Sequence, residues 1–270
     1  MPELPEVEVV RRQLKDKLVG RTIKNIVSYH DKIFNEDLTL VKETLINQEI
    51  LDIERYGKYL VFIFKENVLI SHLRMEGKYF FREVGTKKDK HEHVFFELDN
   101  NISLRYHDTR KFGRMDLRKK NNYLDVLPLN KLGSEPKYMQ NSELYNLITN
   151  RNISIKTALL NQEIIAGLGN IYVDETLFLS KIHPMRKTNE ISMEEADLIT
   201  KSATKVLDKA LALGGTTIRS YTSAEGVTGL FQNELLVHTK EGEPCPNCNN
   251  IITKLKVGGR GTYVCDQCQK

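Results

Sequence analysis

The sequence predicts an α+β fold in three parts, and three observations predict it. Residues from about 20 to 115 alternate short β-rich runs with turns, the chain beyond about 136 turns helical, and all four cysteines lie in the last 26 of the 270 residues. The β-rich runs at 59–65, 68–73, 93–98 and 102–106 are bounded by turn residues, as in a β-sandwich or a small barrel.

One helix precedes the β region. Val7, Val10, Leu14 and Leu18 recur at helical spacing, and Pro5 sits where a first-turn proline is tolerated. The chain begins Met1-Pro2-Glu3-Leu4-Pro5-Glu6-Val7. Once Met1 is removed, Pro2 becomes a terminal secondary amine. An α-amine has a pKa of about 7.7–8.0, so it is partly neutral and nucleophilic near physiological pH. The positive end of the helix disfavours a proton on such an amine and favours the carboxylate of Glu3. An amine beside a carboxylate is suited to attack a sugar aldehyde carbon, form an imine and shuttle protons locally. A proline-rich lead into a surface helix is the competing structural reading of the same residues.

A looser stretch from Arg118-Lys119-Lys120-Asn121-Asn122 to Pro136 reads as a linker. Beyond it, 155–162 reads as a helix, Ala166-Gly167-Leu168-Gly169-Asn170 as a glycine-containing turn, and 171–178 as a second helix with Asn170 as N-cap. Such a turn is either an anion site at a helix N-terminus or an ordinary helical hairpin. Ser192-Met193-Glu194-Glu195 is a capping box. It opens a helix carrying Ala196, Ile199, Ala203, Val206, Leu207 and Ala210, which Gly214-Gly215 ends.

The tail reads Cys245-Pro246-Asn247-Cys248, then 16 residues, then Cys265-Asp266-Gln267-Cys268. Two CxxC knuckles flanking a strand, a glycine turn and a strand match a four-cysteine zinc site. Four thiolates leave no open position, so one Zn2+ has a structural role. Two disulfides and a redox CxxC pair are the alternatives, and nothing suggests the export that disulfides favour. Arg260, between glycines at the hairpin tip, reads either as a phosphate contact or as a solvated turn residue.

Composition bounds the partners. With 40% hydrophobic and 28% charged residues the chain reads as soluble and globular, and no apolar run is long enough to span a membrane. A net charge of +4 permits a nucleic-acid partner without establishing one. No Walker or dinucleotide glycine pattern is present, so no nucleotide cofactor is expected.

Taken together, Pro2-Glu3-Leu4-Pro5-Glu6, Ala166-Gly167-Leu168-Gly169-Asn170-Ile171-Tyr172 and the cysteine tail closely resemble bacterial formamidopyrimidine-DNA glycosylases. These are the 8-oxoguanine-excising members of the helix–two-turn–helix glycosylase family. The resemblance runs over essentially the whole chain, most weakly in 20–55 and 118–150. It implies an N-terminal β-sandwich with a flanking helix (1–120), a linker (121–150), a helix–two-turn–helix domain (151–235) and a β-hairpin zinc finger (236–270). It also implies a cytoplasmic, nucleoid-associated monomer that excises oxidised purines from damaged double-stranded DNA and cleaves the abasic site by β,δ-elimination.

Residue by residue, the resemblance implies Pro2 as nucleophile, Glu3 as proton shuttle, Glu6 in support and Lys58 as a DNA contact near the lesion. A base inside a duplex must be flipped out before an amine can reach its sugar. Met75, Arg110 and Phe112 match the family's void-filling residues; an apolar wedge props a stacked step and an arginine can bond the orphaned base. Core packing is the structural alternative for Met75 and Phe112. Lys156, Asn170 and Arg260 match phosphate contacts. His91 and His93 resemble a histidine cluster near the DNA, read as polar contacts and not ligands. Cys245, Cys248, Cys265 and Cys268 are the implied zinc ligands. The loop from Thr217 to Thr228 matches a cap over the flipped base.

The sequence departs from the family in four places. His107 and Thr109 stand where asparagine and proline are usual, Lys111 where a second arginine is usual, and Val237-His238-Thr239-Lys240 replaces a tyrosine-glycine-arginine pattern. The rival readings are an endonuclease VIII-like enzyme for oxidised pyrimidines and a non-catalytic zinc-finger DNA-binding protein.

Overall fold

A computed structural model describes residues 1–216 and 229–270, and these divide into two compact units. The first unit comprises Met1–Asn130 with Gly214–Gly229; the second comprises Lys131–Leu213 with Leu230–Lys270.

In the first unit, helix α1 (Leu4–Leu18) buries Val7, Val10, Leu14 and Leu18 as its periodicity demands, with Pro5 in its first turn. Strand β1 (Ile23–Ser28) and helix α2 (Leu38–Leu45) follow. The remaining strands are β2 (Asp52–Tyr56), β3 (Tyr59–Ile63), β4 (Asn67–His72), β5 (Lys78–Glu83), β6 (Glu92–Leu98), β7 (Ile102–His107) and β8 (Arg114–Lys119). They form two four-stranded sheets, ordered β1-β6-β7-β5 and β2-β3-β4-β8. The sequence left sandwich or barrel open; two separate sheets make it a sandwich. Its core joins Ile26, Val94, Phe96, Leu104 and Tyr106 of one sheet to Ile53, Leu60, Phe62, Leu69 and Met115 of the other. Helix α1 packs against β2 and β3, so the N-terminus and the β2–β3 turn belong to one framework.

The second unit is helical. The stretch from 121 to 150 carries helix α3 (Glu143–Ile148), which packs on α6. Helix α4 (Ile155–Leu159) is a short turn capped by Ser154, whose hydroxyl accepts from Thr157 N at 3.3 Å. Helix α5 is Asn170–Leu179 and helix α6 is Met193–Ala212. The Ser192–Glu195 capping box forms in both directions, at 3.2 Å and 2.9 Å. Ala196, Ile199, Ala203, Val206, Leu207 and Ala210 are all buried, and Gly214 and Gly215 take φ of 75° and 80°. One expectation is corrected: Gly169 caps α5, and Asn170 is its first helical residue. The cap needs only an extended backbone, which leaves the Asn170 side chain for another bond.

A two-stranded hairpin, β9 (Thr253–Val257) and β10 (Arg260–Val264), forms the finger. Phe178 of α5, Val237 and Ile252 pack around Cys245 and Cys265. No helix among the described residues is long and apolar enough to cross a membrane.

Candidate active site and nucleic-acid interface

The start of α1 is built around two carboxylates. Pro2 is buried beneath an exposed Met1, and Glu3, the N-cap, is 3% exposed. Glu6, one turn on, reaches back so that its Oε2 accepts from Glu3 N at 2.8 Å. Its Oε1 accepts from Thr216 N at 2.8 Å and Thr216 Oγ1 at 3.0 Å. Glu6 is therefore no solvated helix residue; it fixes the backbone that carries Pro2 and Glu3. With Met1 attached, the Pro2 nitrogen is an amide and has no nucleophilic lone pair, so removal of Met1 must precede any amine chemistry.

Further along α1, Glu8 gathers Arg11, Arg12 and Arg55 at 2.8–3.1 Å. Burial pushes its pKa up, but hydrogen bonds from Arg11 and Arg12 and the nearby Arg55 charge outweigh it and bring the carboxyl down to about 2. Arg55 also donates to Gly57 O at 2.9 Å. This ties α1 to the turn that presents Lys58, which is buried to 4% exposure. Tyr59 pairs with His72 across β3 and β4, with their rings edge-on at 4.5 Å. His72 Nδ1 accepts from Arg74 N at 2.9 Å, and burial, with the Arg74 and Lys58 charges, pushes its pKa down to about 3. A neutral imidazole accepting through Nδ1 carries its hydrogen on Nε2.

Two loops of the same unit carry the three void-filling candidates. Met75 is half-buried in the β4–β5 loop; Arg110 and Phe112 are exposed in the β7–β8 loop, with the guanidinium 4.7 Å from the ring centroid. An exposed Phe112 rules out core packing for that residue. His93 is buried, and its Nε2 lies 2.8 Å from Asp108 O. Burial lowers its pKa. Its ring therefore holds the base of the loop through that nitrogen. His91 is half-buried, edge-on to His107 at 5.6 Å.

The second unit gathers the other candidates. Lys156 is fully buried, with its Nζ 2.6 Å from Asp174 Oδ1 and 3.1 Å from Gly261 O. Its ammonium thus links α4 to Asp174 of α5 and to the Gly261 carbonyl of the finger. Asn170 Nδ2 donates to the same Gly261 O at 3.0 Å. Asp174 also faces His238 Nδ1 at 2.7 Å. Glu175 accepts from the backbone N–H groups of Leu236, Val237 and His238 at 2.9–3.0 Å; burial raises its pKa against these three donors. Arg260 is exposed at the hairpin turn. The finger, α4 and α5 are thus joined at one point, and Asn170 and Arg260 flank it.

Cys245, Cys248, Cys265 and Cys268 are free thiols whose Sγ atoms all lie within 4.8 Å of one another, so the cluster can hold one metal ion. The 217–228 loop lies outside the described residues.

Sequence reading missed Glu8, Arg55, His72, Asp108, Asp174, Glu175 and Thr216. Only Glu8 and Arg55 left a signal, as a carboxylate on the packed side of α1 and a basic residue beside the Gly57 turn.

An N-terminal proline braced by a buried carboxylate, a sandwich with protruding loops and a cysteine finger define a zinc-finger DNA glycosylase. Residues 1–115 match the formamidopyrimidine-DNA glycosylase N-terminal domain, 132–222 its H2TH domain, and 242–270 the zinc finger found in FPG and IleRS. The chain belongs to the formamidopyrimidine-DNA glycosylase family. It is 46% identical to the formamidopyrimidine-DNA glycosylase of Mycoplasma mobile, aligned over 100% of this chain and 99% of that protein. The Bacillus cereus (strain ATCC 14579) enzyme is 43% identical, with the same coverage. Among solved structures, Lactococcus lactis Fpg with abasic-site DNA superposes with TM-score 0.94, and wild-type Lactococcus lactis Fpg with N7-benzyl-Fapy-dG DNA with 0.93. Both are 40% identical and covered in full, as is this chain.

Proposed function

We propose that Pro2 supplies the amine with which this base-excision glycosylase and abasic-site lyase removes oxidised purines from duplex DNA. The observation that carries the reading is the Pro2–Glu3 backbone, buried and fixed by Glu6 through 2.8 Å bonds to Glu3 N and Thr216 N. A nucleophile that must reach an extrahelical sugar needs such positioning.

The free amine attacks C1′, the glycosidic bond breaks, and the base leaves with a proton. The ring oxygen departs from C1′ as the protonated imine forms. Glu3 serves as the local proton carrier, giving a proton to the opening sugar and taking one back. The protonated imine acidifies C2′; loss of that proton expels the 3′ phosphate, and a second elimination expels the 5′ phosphate. A one-nucleoside gap with phosphates at both ends remains, and water hydrolyses the imine, releasing the sugar fragment as an aldehyde and restoring the Pro2 amine. Lys58 contacts the strand near the lesion, while Met75, Arg110 and Phe112 fill the vacated stack. Asn170, Arg260 and His91 contact the backbone, giving affinity and salt dependence without sequence preference.

The four cysteines hold one Zn2+. A tetrahedral ion with Zn–S bonds of about 2.3 Å sets its sulfurs about 3.8 Å apart, and the Cys245–Cys268 and Cys248–Cys265 pairs stand at 3.8 Å and 3.5 Å. Bound there, the ion cross-links the finger and performs no chemistry. One chain carries every part required, so the enzyme acts as a monomer, and a chromosomal substrate implies a cytoplasmic, nucleoid-associated protein.

Incubation with duplexes carrying 8-oxoguanine opposite cytosine, or thymine glycol, tests the substrate class. Preferential cleavage at 8-oxoguanine supports it. Preference for thymine glycol supports the endonuclease VIII reading, and binding without cleavage supports a DNA-binding module.

A further inference from the structure

The loops bearing Met75 and the Arg110–Phe112 pair are not independent. Asp108, fully buried at the end of β7, uses its carboxylate as an internal template. Oδ1 accepts from Arg110 N at 2.9 Å; Oδ2 accepts from Phe112 N and Gly113 N, each at 2.9 Å, and from Tyr106 OH at 3.4 Å. The carboxylate thus accepts four hydrogen bonds, one on Oδ1 and three on Oδ2. The chain reverses at Lys111, where φ is 57°, and the bonds on either side of it hold that left-handed turn. The Asp108 backbone is pinned as well, its N donating to His91 O at 2.9 Å and its O facing His93 Nε2 at 2.8 Å.

Tyr106 extends this template to the other loop. Its hydroxyl lies against both Gly77 and Gly113; a Cβ added at Gly77 would stand 2.4 Å from that oxygen, and one at Gly113 only 1.6 Å. Both glycines are therefore required by close approach, and a single hydroxyl is the shared floor of the two loops. Gly77 N closes the Met75 loop onto Leu73 O at 2.9 Å. Above this floor, Thr109 Oγ1 donates to Glu76 Oε2 and joins the loops a second time.

From this geometry we propose that Asp108 is a positioning residue which, with Tyr106, holds both loops as one rigid wedge, so that discrimination of the orphaned base depends on a carboxylate that does not touch DNA. The inference rests on the proposed function. A wedge entering a base stack gains from rigidity because the ordering cost is met in folding rather than on binding. Asparagine at 108 cannot substitute: its amide places a donor against at least one of the three backbone N–H groups, and the turn at Lys111 loses a tether.

Two readouts separate this role from simple destabilisation. One is the ratio of single-turnover excision of 8-oxoguanine opposite cytosine to that opposite adenine. The other is the ratio of duplex excision to borohydride trapping on a single-stranded abasic oligonucleotide, which has no stack to wedge. Asp108→Asn is expected to lower duplex excision by about tenfold to a hundredfold, the scale of an ångström-sized misplacement. Both ratios fall with it. Tyr106→Phe keeps the packed ring and removes the shared hydroxyl; it moves both ratios the same way by a smaller factor, and serves if the Asp108 variant does not fold. Unchanged ratios in the folded variants, whatever their melting temperatures, overturn the inference. Absence of any trapped adduct from the unaltered protein overturns instead the function on which it rests.

Discussion

Glu6 and Thr216 are 210 positions apart, yet one carboxylate oxygen of Glu6 accepts both the backbone N–H and the hydroxyl of Thr216. The other oxygen holds Glu3 N. One side chain therefore fixes both the backbone that follows Pro2 and Thr216, the residue just before 217–228. Gly215 permits this approach: a Cβ there would stand 2.8 Å from Glu6 Oε1.

Glu6→Gln tests the brace. An amide cannot accept on both sides, so one buried N–H loses its partner, at a cost of about 1–3 kcal/mol. Thermal unfolding should show a lowered midpoint, and single-turnover excision should fall more than DNA affinity. Equal loss of both would assign Glu6 to binding alone.

Arg55→Lys tests the link between α1 and the Lys58 turn. The guanidinium bridges Glu8 Oε2 and Gly57 O, at 3.1 Å and 2.9 Å; an ammonium does not reproduce that fork. Excision should fall by about tenfold or more, with the fold retained, because Lys58 loses its alignment. Single-turnover kinetics beside a circular-dichroism melt checks it.

The buried His72 gives a pH dependence with a defined sign. Its folded pKa is about 3, below the ordinary 6.5, so between these values the unfolded chain binds a proton that the folded chain refuses. Its contribution to stability is present above pH 6.5 and is lost as pH falls from there toward 3. Urea midpoints measured across that window should decline less steeply for His72→Asn, which keeps an acceptor for Arg74 N. An identical decline would place the titration elsewhere.

Metal removal should release the finger. Chelation, or Cys265→Ser, is expected to abolish tight duplex binding and leave the chain with less than one zinc per molecule by atomic absorption. The Pro2 chemistry on a single-stranded abasic oligonucleotide should persist to a greater extent, since Pro2 and the finger belong to different units.

Thr239 takes φ of 68°. A β-branched residue in the left-handed region is strained. Thr239→Gly should stabilise the protein by about 1 kcal/mol, net of the flexibility glycine adds to the unfolded chain and of the lost bond from Thr239 Oγ1 to His238 O. Differential scanning calorimetry reads the shift.

What was legible in the sequence was local. The Pro2–Glu6 motif, the α6 capping box and the cysteine spacing each lie within a short window, where helical period, cap chemistry or ligand geometry constrains residue type. Whatever depends on contacts across the fold was not legible. Nothing near Glu6 points to Thr216, and nothing near Asp108 tells that its carboxylate, rather than Arg110, organises the loop. Lys156 illustrates this: nothing in its own window points to Asp174, on the next helix, which pairs with its ammonium. Asn170 is similar, since the cap came from the preceding glycine's backbone and freed the side chain for Gly261 O.

The most direct measurement is borohydride reduction of the protein with an 8-oxoguanine duplex, followed by peptide mapping of the adduct by mass spectrometry. A single cross-link at the imino nitrogen of Pro2, in chains lacking Met1, is the expected result. An adduct on Lys58 or another lysine, or efficient excision by chains that retain Met1, would contradict it.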